Sequence, residues 1–305
     1  MDKTHIETVR LLLESAPAIF ETPHFAMKGG TAINLFIEDM PRLSVDIDVV
    51  FVDYQATRDQ ALKSISSGLE GARKRLAKVG LESEVSATKD GDEVKLFIRR
   101  GRNHVKVEVN HVFRGTVLPV EIRQLGDEAR KIFTTELSVP VLATAELYGS
   151  KLVAAMDRQH PRDLFDVRKL FERGGLTAEV IECFVCYLAG HNRPVHEVLF
   201  SRDTDMSSAF ENEFVGLTQH PITLEELQRV RLRLKEELPV ALTPSQRQFL
   251  LGFVAGEPDW QLMKCQHLSQ LPAIRWKLQN LATLKKSNAS KFAEQAEELR
   301  GRLSV

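Results

Sequence analysis

The chain has 305 residues, 43% of them hydrophobic and 27% charged, with a formal net charge of −1. This length allows a sizeable core and favours two domains, while the near-neutral balance excludes a globally basic nucleic-acid binder and leaves only local patches for such a partner. Three cysteines (Cys183, Cys186, Cys265) exclude a disulfide framework, the charged start MDKTHIETVR lacks the apolar stretch of a signal peptide, and no run approaches the ~20 apolar residues of a membrane span. A cytoplasmic protein with no membrane partner is expected.

In chain order, residues 4–15 place Ile6, Val9, Leu12 and Leu13 on one side of a short helix. A strand over Phe25–Lys28 runs into Gly29-Gly30, and Thr31 is expected to cap a helix reaching about Asp39. Val45–Val52 reads as a β-branched strand, Ala56–Val79 as a long helix closed by Gly80, and Leu81–Ala87, Glu93–Arg99 and His104–His111 as strands, with a further strand through Leu118–Arg123. Beyond residue 141 the pattern turns helical: about 143–156, 161–173, 177–189, 223–237, 244–254, 271–285 and 289–302, with loops and short helices over 191–222. The fold class is therefore α+β, an N-terminal unit with a mixed or antiparallel sheet over about 1–140 and a helical unit over about 141–305.

Alternation on the strand Val45-Asp46-Ile47-Asp48-Val49 sends the valines and the isoleucine to one face and both aspartates to the other, with Cα atoms ~7 Å apart. Two such carboxylates repel, and a divalent cation with oxygen ligands would compensate them. A bare Asp-x-Asp is nonetheless more often a solvated polar face. Lys28-Gly29-Gly30-Thr31 stands at a strand-to-helix junction where glycines let the backbone approach a phosphate, although an ordinary tight turn has the same composition. In His104–Asn110, Val105, Val107 and Val109 face the core, and Glu108 becomes a third carboxylate if this strand lies beside that of Asp46. The pair Cys183 and Cys186 lies in an apolar run without a second pair and reads as buried helix thiols, not a zinc site.

The run Lys28-Gly29-Gly30-Thr31-Ala32, followed by Arg42-Leu43-Ser44-Val45-Asp46-Ile47-Asp48, resembles the AbiEii/AbiGii (MenT-type) toxins of the polymerase-β-like nucleotidyltransferase superfamily. Gly-Thr stands where the superfamily signature has Gly-Ser. A second match follows in Ser150-Lys151-Leu152 and Arg162-Asp163-Leu164-Phe165-Asp166. The two motifs lie within about residues 25–170; the likeness of the rest is only general. The resemblance implies a polymerase-β-like N-terminal domain, a nucleoside triphosphate held over Lys28, Gly29, Gly30 and Thr31 with Arg42 and Ser44, and Mg²⁺ (or Mn²⁺) on Asp46 and Asp48, with Glu108 as the candidate third ligand. Lys151 would neutralise triphosphate charge. Asp163 would either activate the acceptor or orient Lys151, and Asp166, one helical turn on, would support them.

It further implies a toxin of a toxin–antitoxin or phage-defence module that transfers NMP to an RNA acceptor, the tRNA 3′ end, blocks translation, and has a cognate antitoxin as partner. A basic stretch with Lys95, Arg99, Arg100, Arg102, His104 and Lys106, and a C-terminal one with Arg275, Lys277, Lys285, Lys286, Lys291, Arg300 and Arg302, are candidate phosphate-backbone contacts; Trp276 is assigned to core packing in preference to base stacking. Two other classes compete. One is transfer of the γ-phosphate, or nucleotidylation of a protein, on the same scaffold; the other is a non-catalytic nucleotide-binding module.

Overall fold

The computed structural model describes residues 3–87 and 94–303, so Glu93, the expected first residue of one strand, lies outside the described residues. The chain divides into two compact units. One comprises Met1–Leu147 with Phe214–Pro221, the other Tyr148–Glu213 with Ile222–Val305.

The first unit contains α1 (Lys3–Phe20), β1 (Phe25–Lys28), α2 (Gly29–Ala32), β2 (Asp46–Phe51), α3 (Arg58–Lys78), β3 (Glu82–Ala87), β4 (Val94–Arg100), β5 (Asn103–Asn110), β6 (Glu121–Gln124), α4 (Asp127–Phe133) and β7 (Ser138–Val141), and it includes the start of α5 (Thr144–Arg158). Its seven strands form one mixed sheet in the order β3-β4-β5-β2-β1-β7-β6. β2 runs antiparallel to β1 and parallel to β5, so it is flanked on both sides at the middle of the sheet. Ile47, Val49, Val105, Val107, Leu96 and Ile98 are buried on one face, and α1 and α3 pack against this sheet. A capping box of Thr57 and Gln60 starts α3, and Gly80, at φ +75°, follows its end.

Several sequence expectations are corrected. α1 extends to Phe20 with Pro17 inside it, because Ala16, Ile19 and Phe20 continue the buried stripe. The helix at Gly29 begins two residues before Thr31, so Thr31 is an interior residue and not its cap; the chain then continues as a π-helix over Ile33–Ile37. The strand expected through Leu118–Arg123 starts only at Glu121, because the Val117 and Leu118 amides donate to the buried Glu146 carboxylate instead of to a neighbouring strand. α4 and β7 were not expected.

The second unit contains the rest of α5, then α6 (Pro161–Arg173), α7 (Ala178–Ala189), α8 (Val195–Leu199), α9 (Ser207–Glu213), α10 (Leu224–Ala241), α11 (Pro244–Val254), α12 (Pro272–Ser287) and α13 (Ala289–Leu303). Gly149 on α5 marks a close approach to α7, since a Cβ there would lie 2.6 Å from Cys183 Cβ and 2.7 Å from the Phe184 nitrogen. Cys183 and Cys186 are fully buried on α7. Trp276, assigned to the core, is instead 57% exposed. Lys277, counted among surface cations, is buried and donates to the Asn192 and Arg193 carbonyls at 3.0 and 2.8 Å. Arg300 and Arg302 are ion-paired with Glu297 and Glu298 one turn back. Among the described residues, no helix is long and apolar enough to cross a membrane.

Candidate active site

The pleat of β2 puts Asp46 and Asp48 on one face, half-buried, with Ile47 sealed beneath on the other. Register extends that polar row in both directions. Asp48 is the Cα partner of Lys28 on β1 and of Glu108 on β5, and Asp46 is the partner of Lys106. Lys95 on β4 pairs with Glu108 in turn. Paired residues share a face, so three carboxylates and three lysines meet on one patch of sheet.

Glu108 is the best-anchored member. Lys95 Nζ lies 3.0 Å from one of its oxygens and Lys106 Nζ 3.2 Å from the other. Partial burial acts to raise its pKa, but the hydrogen bonds and charges of the two lysines outweigh it and hold the carboxyl below its usual range. Among the described residues, no three His, Cys, Asp or Glu side chains converge as a ready metal cage.

The glycine turn is shaped by this carboxylate row. Gly29 adopts φ +76°, and a Cβ on it would sit 2.0 Å from Asp48 Oδ2. Only glycine leaves room for the carboxylate and tolerates that backbone. A Cβ on Gly30 would lie 2.7 Å from Arg42 Nη2 and 3.2 Å from Ser44 Oγ, so the second glycine makes space for a buried guanidinium. Arg42 also donates to the Leu43 carbonyl at 2.9 Å. The buried Thr31 hydroxyl donates to the Asp46 carbonyl oxygen and stands 2.9 Å from Ser44 Oγ, tying the turn to the start of β2. Asn34, unremarked in the sequence, donates to the Gly30 carbonyl at 2.9 Å; its spacing of four from Gly30 was the available signal.

The segment Pro41–Leu43 is fastened by a distant stretch of chain. Leu43 N–H donates to the Leu217 carbonyl at 2.9 Å and Gln219 N–H to the Pro41 carbonyl at 3.0 Å. The basic hairpin is in place, with β4 and β5 closing at Arg100 and Asn103. Arg99 and Arg102 are exposed, whereas Arg100 is ion-paired with Glu14 on α1.

In the second unit, Lys151 on α5 is 2.8 Å from Asp163 Oδ1 and 3.0 Å from Asp166 Oδ2, both on α6. All three are buried, at 7%, 3% and 0% exposure. Arg158, missed in the sequence, takes the other oxygen of Asp163 at 2.8 Å. Two buried carboxylates thus meet two cations, which is how such charges are tolerated away from water. The tight α5–α6 turn holds this arrangement: Gln159 sits at φ +51° and its side chain bonds Ser201 and the Arg202 carbonyl. His160 caps α6 through the Arg162 amide, with Pro161 in the first turn. Burial, and then the Arg162 charge, push the His160 pKa down, so it is neutral near pH 7 with Nε2 facing Glu213 at 3.2 Å.

A sheet strand thus carries paired aspartates, with a glycine turn packed against one of them. The class of the protein comes from its likeness to known proteins. A family described as "Nucleotidyl transferase AbiEii toxin, Type IV TA system" matches residues 10–280. The chain therefore belongs to the AbiEii nucleotidyltransferase toxin family of type IV toxin–antitoxin systems. Among solved structures it resembles MenT4, a nucleotidyltransferase toxin from Mycobacterium tuberculosis H37Rv, at 21% identity over 90% of this chain and 93% of that one, with a TM-score of 0.58, which shows a shared fold. A chain of the E. coli MS115-1 CdnC:HORMA-deltaN complex aligns at 13% identity over 88% of this chain and 87% of that one, with a TM-score of 0.22, too low to speak of a shared fold. No curated protein matches the sequence.

Proposed function

We propose that this nucleotidyltransferase transfers NMP from a nucleoside triphosphate to an RNA acceptor, the 3′ end of tRNA, and thereby blocks translation until its antitoxin counters it. The observation that carries the reading is the Asp46–Asp48 pair set over Gly29, whose missing Cβ leaves the space beside Asp48 Oδ2. Two carboxylates on one face of the sheet suit a hard divalent cation such as Mg²⁺ or Mn²⁺. Asp46 and Asp48 would hold it, and Glu108 extends the row as a third acid. Such a cation would supply charge neutralisation at the α-phosphate.

The residues of the chain then divide the work. Gly29 and Gly30 let the triphosphate approach the backbone, and Lys28 with Arg42 supplies positive charge to it. Thr31 and Ser44 keep the turn against β2. The acceptor hydroxyl oxygen bonds to the α-phosphorus as its proton passes to solvent water, the bond to the α–β bridging oxygen breaks, and pyrophosphate leaves. Lys151 stands as a buried cation between Asp163 and Asp166. Asp163 has one oxygen on Lys151 and the other on Arg158, a poor arrangement for a base, which favours the positioning role, with Asp166 as the second anchor. Arg99 and Arg102, exposed beside the hairpin tip, are the proposed RNA contacts, with Arg100 held back by Glu14.

Incubation of the purified chain with Mg²⁺, total tRNA and each α-³²P- or γ-³²P-labelled NTP tests this. Label on tRNA from the α position only is the expected outcome. Label from the γ position would establish phosphoryl transfer, and α-label on protein would move the acceptor from RNA to a polypeptide.

A further inference from the structure

The nucleotidyl-transfer reading makes no use of α12, yet this helix carries an uneven surface. Residues 260–293 contain no Asp or Glu, while Lys264, Arg275, Lys277, Lys285, Lys286 and Lys291 all fall within them. Within that stretch α12 turns Ile274, Lys277 and Leu281 into the helical unit. Its other face leaves Arg275, Trp276, Gln279, Asn280, Thr283 and Lys286 exposed. An exposed indole by itself says little, because single apolar side chains are common on surfaces. Here its neighbours give it a meaning.

Helical geometry puts Arg275 and Lys286 within ~20° of each other about the axis and roughly 16 Å apart along it. Trp276 follows Arg275 directly, and Gln279 and Asn280, three and four residues further on, are its surface neighbours. Neither Arg275 nor Lys286 has an ion pair among the described residues. The acids of α13, which packs against α12, are engaged on their own helix. Glu297 and Glu298 pair with Arg300 and Arg302, and Glu294 accepts from the Ser290 hydroxyl at 3.0 Å. Those three glutamates line a groove with His196 and Glu197 that no described residue of α12 enters. The positive charge on the outer face of α12 is therefore not cancelled by α13. A flat ring beside a guanidinium, with carboxamides next to it, matches a ligand that combines a π-face, hydrogen-bonding edges and negative charge; an unpaired nucleotide has all three.

We propose that the outer face of α12 binds single-stranded RNA, with one base stacked on Trp276 and phosphates of the strand on Arg275 and Lys286. The choice of RNA among polyanions rests on the acceptor proposed above. Binding of a short fluorescein-labelled oligoribonucleotide to the full chain, without NTP and over a range of salt, tests it by anisotropy. Trp276→Ala, at an exposed position, weakens binding about 5- to 150-fold with the salt dependence unchanged, and Trp276→Phe recovers most of the loss. The Arg275→Gln, Lys286→Gln double variant flattens the slope of log K against log salt by about 1.4, the share of two single-strand phosphates. In a Trp260→Phe background the oligonucleotide quenches the remaining indole fluorescence. The Asp46→Asn, Asp48→Asn double variant binds no more weakly than wild type, so the surface and the catalytic reading fail separately. Label on protein in place of tRNA, with Trp276-dependent binding intact, strikes the acceptor and upholds the surface. The proposal is overturned by no measurable binding, by binding that survives Trp276→Ala with an unchanged salt slope in the Arg275→Gln, Lys286→Gln variant, or by binding lost in the aspartate variant. A polyglutamate peptide whose binding needs Trp276 and Arg275, when RNA binding does not, overturns it too and assigns the face to an acidic protein.

Discussion

Gly29 shows how little freedom the centre leaves to single residues. It combines a left-handed φ of +76° with a Cβ direction that ends 2.0 Å from Asp48 Oδ2. Gly29→Ala should cost about 1–3 kcal/mol of stability from backbone strain alone, measured by urea denaturation, and should displace Asp48 enough to abolish nucleotidyl transfer. A fully active, equally stable alanine variant would contradict the geometry. Lys151 makes the complementary case, since its loss removes the ammonium that lies 2.8 Å from the buried Asp163 and 3.0 Å from the buried Asp166. Lys151→Met is expected to destabilise the protein by about 3–5 kcal/mol, and a cost below 1 kcal/mol would show that the buried triad is not a coupled network. The individual residues Lys28, Gly29, Asp46, Asp48, Lys151 and Asp163 were legible because each motif lies in a short run of chain. The partners Lys95, Lys106 and Arg158 were not read as such, because strand register and a helix turn bring them in from outside those runs.

At the scale of elements, the alternating runs of β2 and β5 were readable from their period of two, which the structure reproduces along β5 and at the start of β2, beyond which Val49, Val50 and Phe51 are all buried. Their parallel pairing, Asp48 with Glu108, could only be supposed, because no local pattern specifies which strands become neighbours. β7 escaped notice because four residues containing Pro140 carry too weak a signal, and its place beside β1 comes from tertiary packing. Thr31 illustrates a competing rule. A threonine after two glycines reads as a cap, yet its hydroxyl is spent on the strand that carries Asp46. Helix packing gives an independent prediction. Gly149→Ala drives a methyl to within 2.6 Å of Cys183 Cβ and should destabilise the helical unit by about 1–3 kcal/mol through overpacking. Chemical denaturation followed by helix signal checks it, and an unchanged midpoint would refute the close approach of α5 to α7.

Across the whole chain, the expected boundary near residue 140 left no place for the return of Phe214–Pro221 to the sheet-bearing unit, since a strap of eight residues has no signature in a helical region. The helical unit has its own pH dependence through Lys277. Burial lowers its pKa from 10.5 to about 8. Between those values the unfolded chain holds the proton and the folded chain has released it, so stability rises with pH from about 8 to 10.5 and the contribution is absent below about 8. The size is on the order of 3 kcal/mol. Denaturation midpoints over that range, with Lys277→Met as reference, should show the rise in wild type only; parallel profiles would dismiss it.

On the proposed function, Asp46 and Asp48 act as one unit in nucleotidyl transfer. The most direct measurement of this is the rate of α-³²P incorporation into tRNA by wild type, Asp46→Asn, Asp48→Asn and the double variant, each first shown to be folded. Each single substitution should lower the rate by on the order of 10³-fold, and the double variant should be little worse than either single, as for groups that serve one centre. A double variant that retains a tenth or more of the wild-type rate, about 1.4 kcal/mol of barrier, would place the chemistry elsewhere in the molecule.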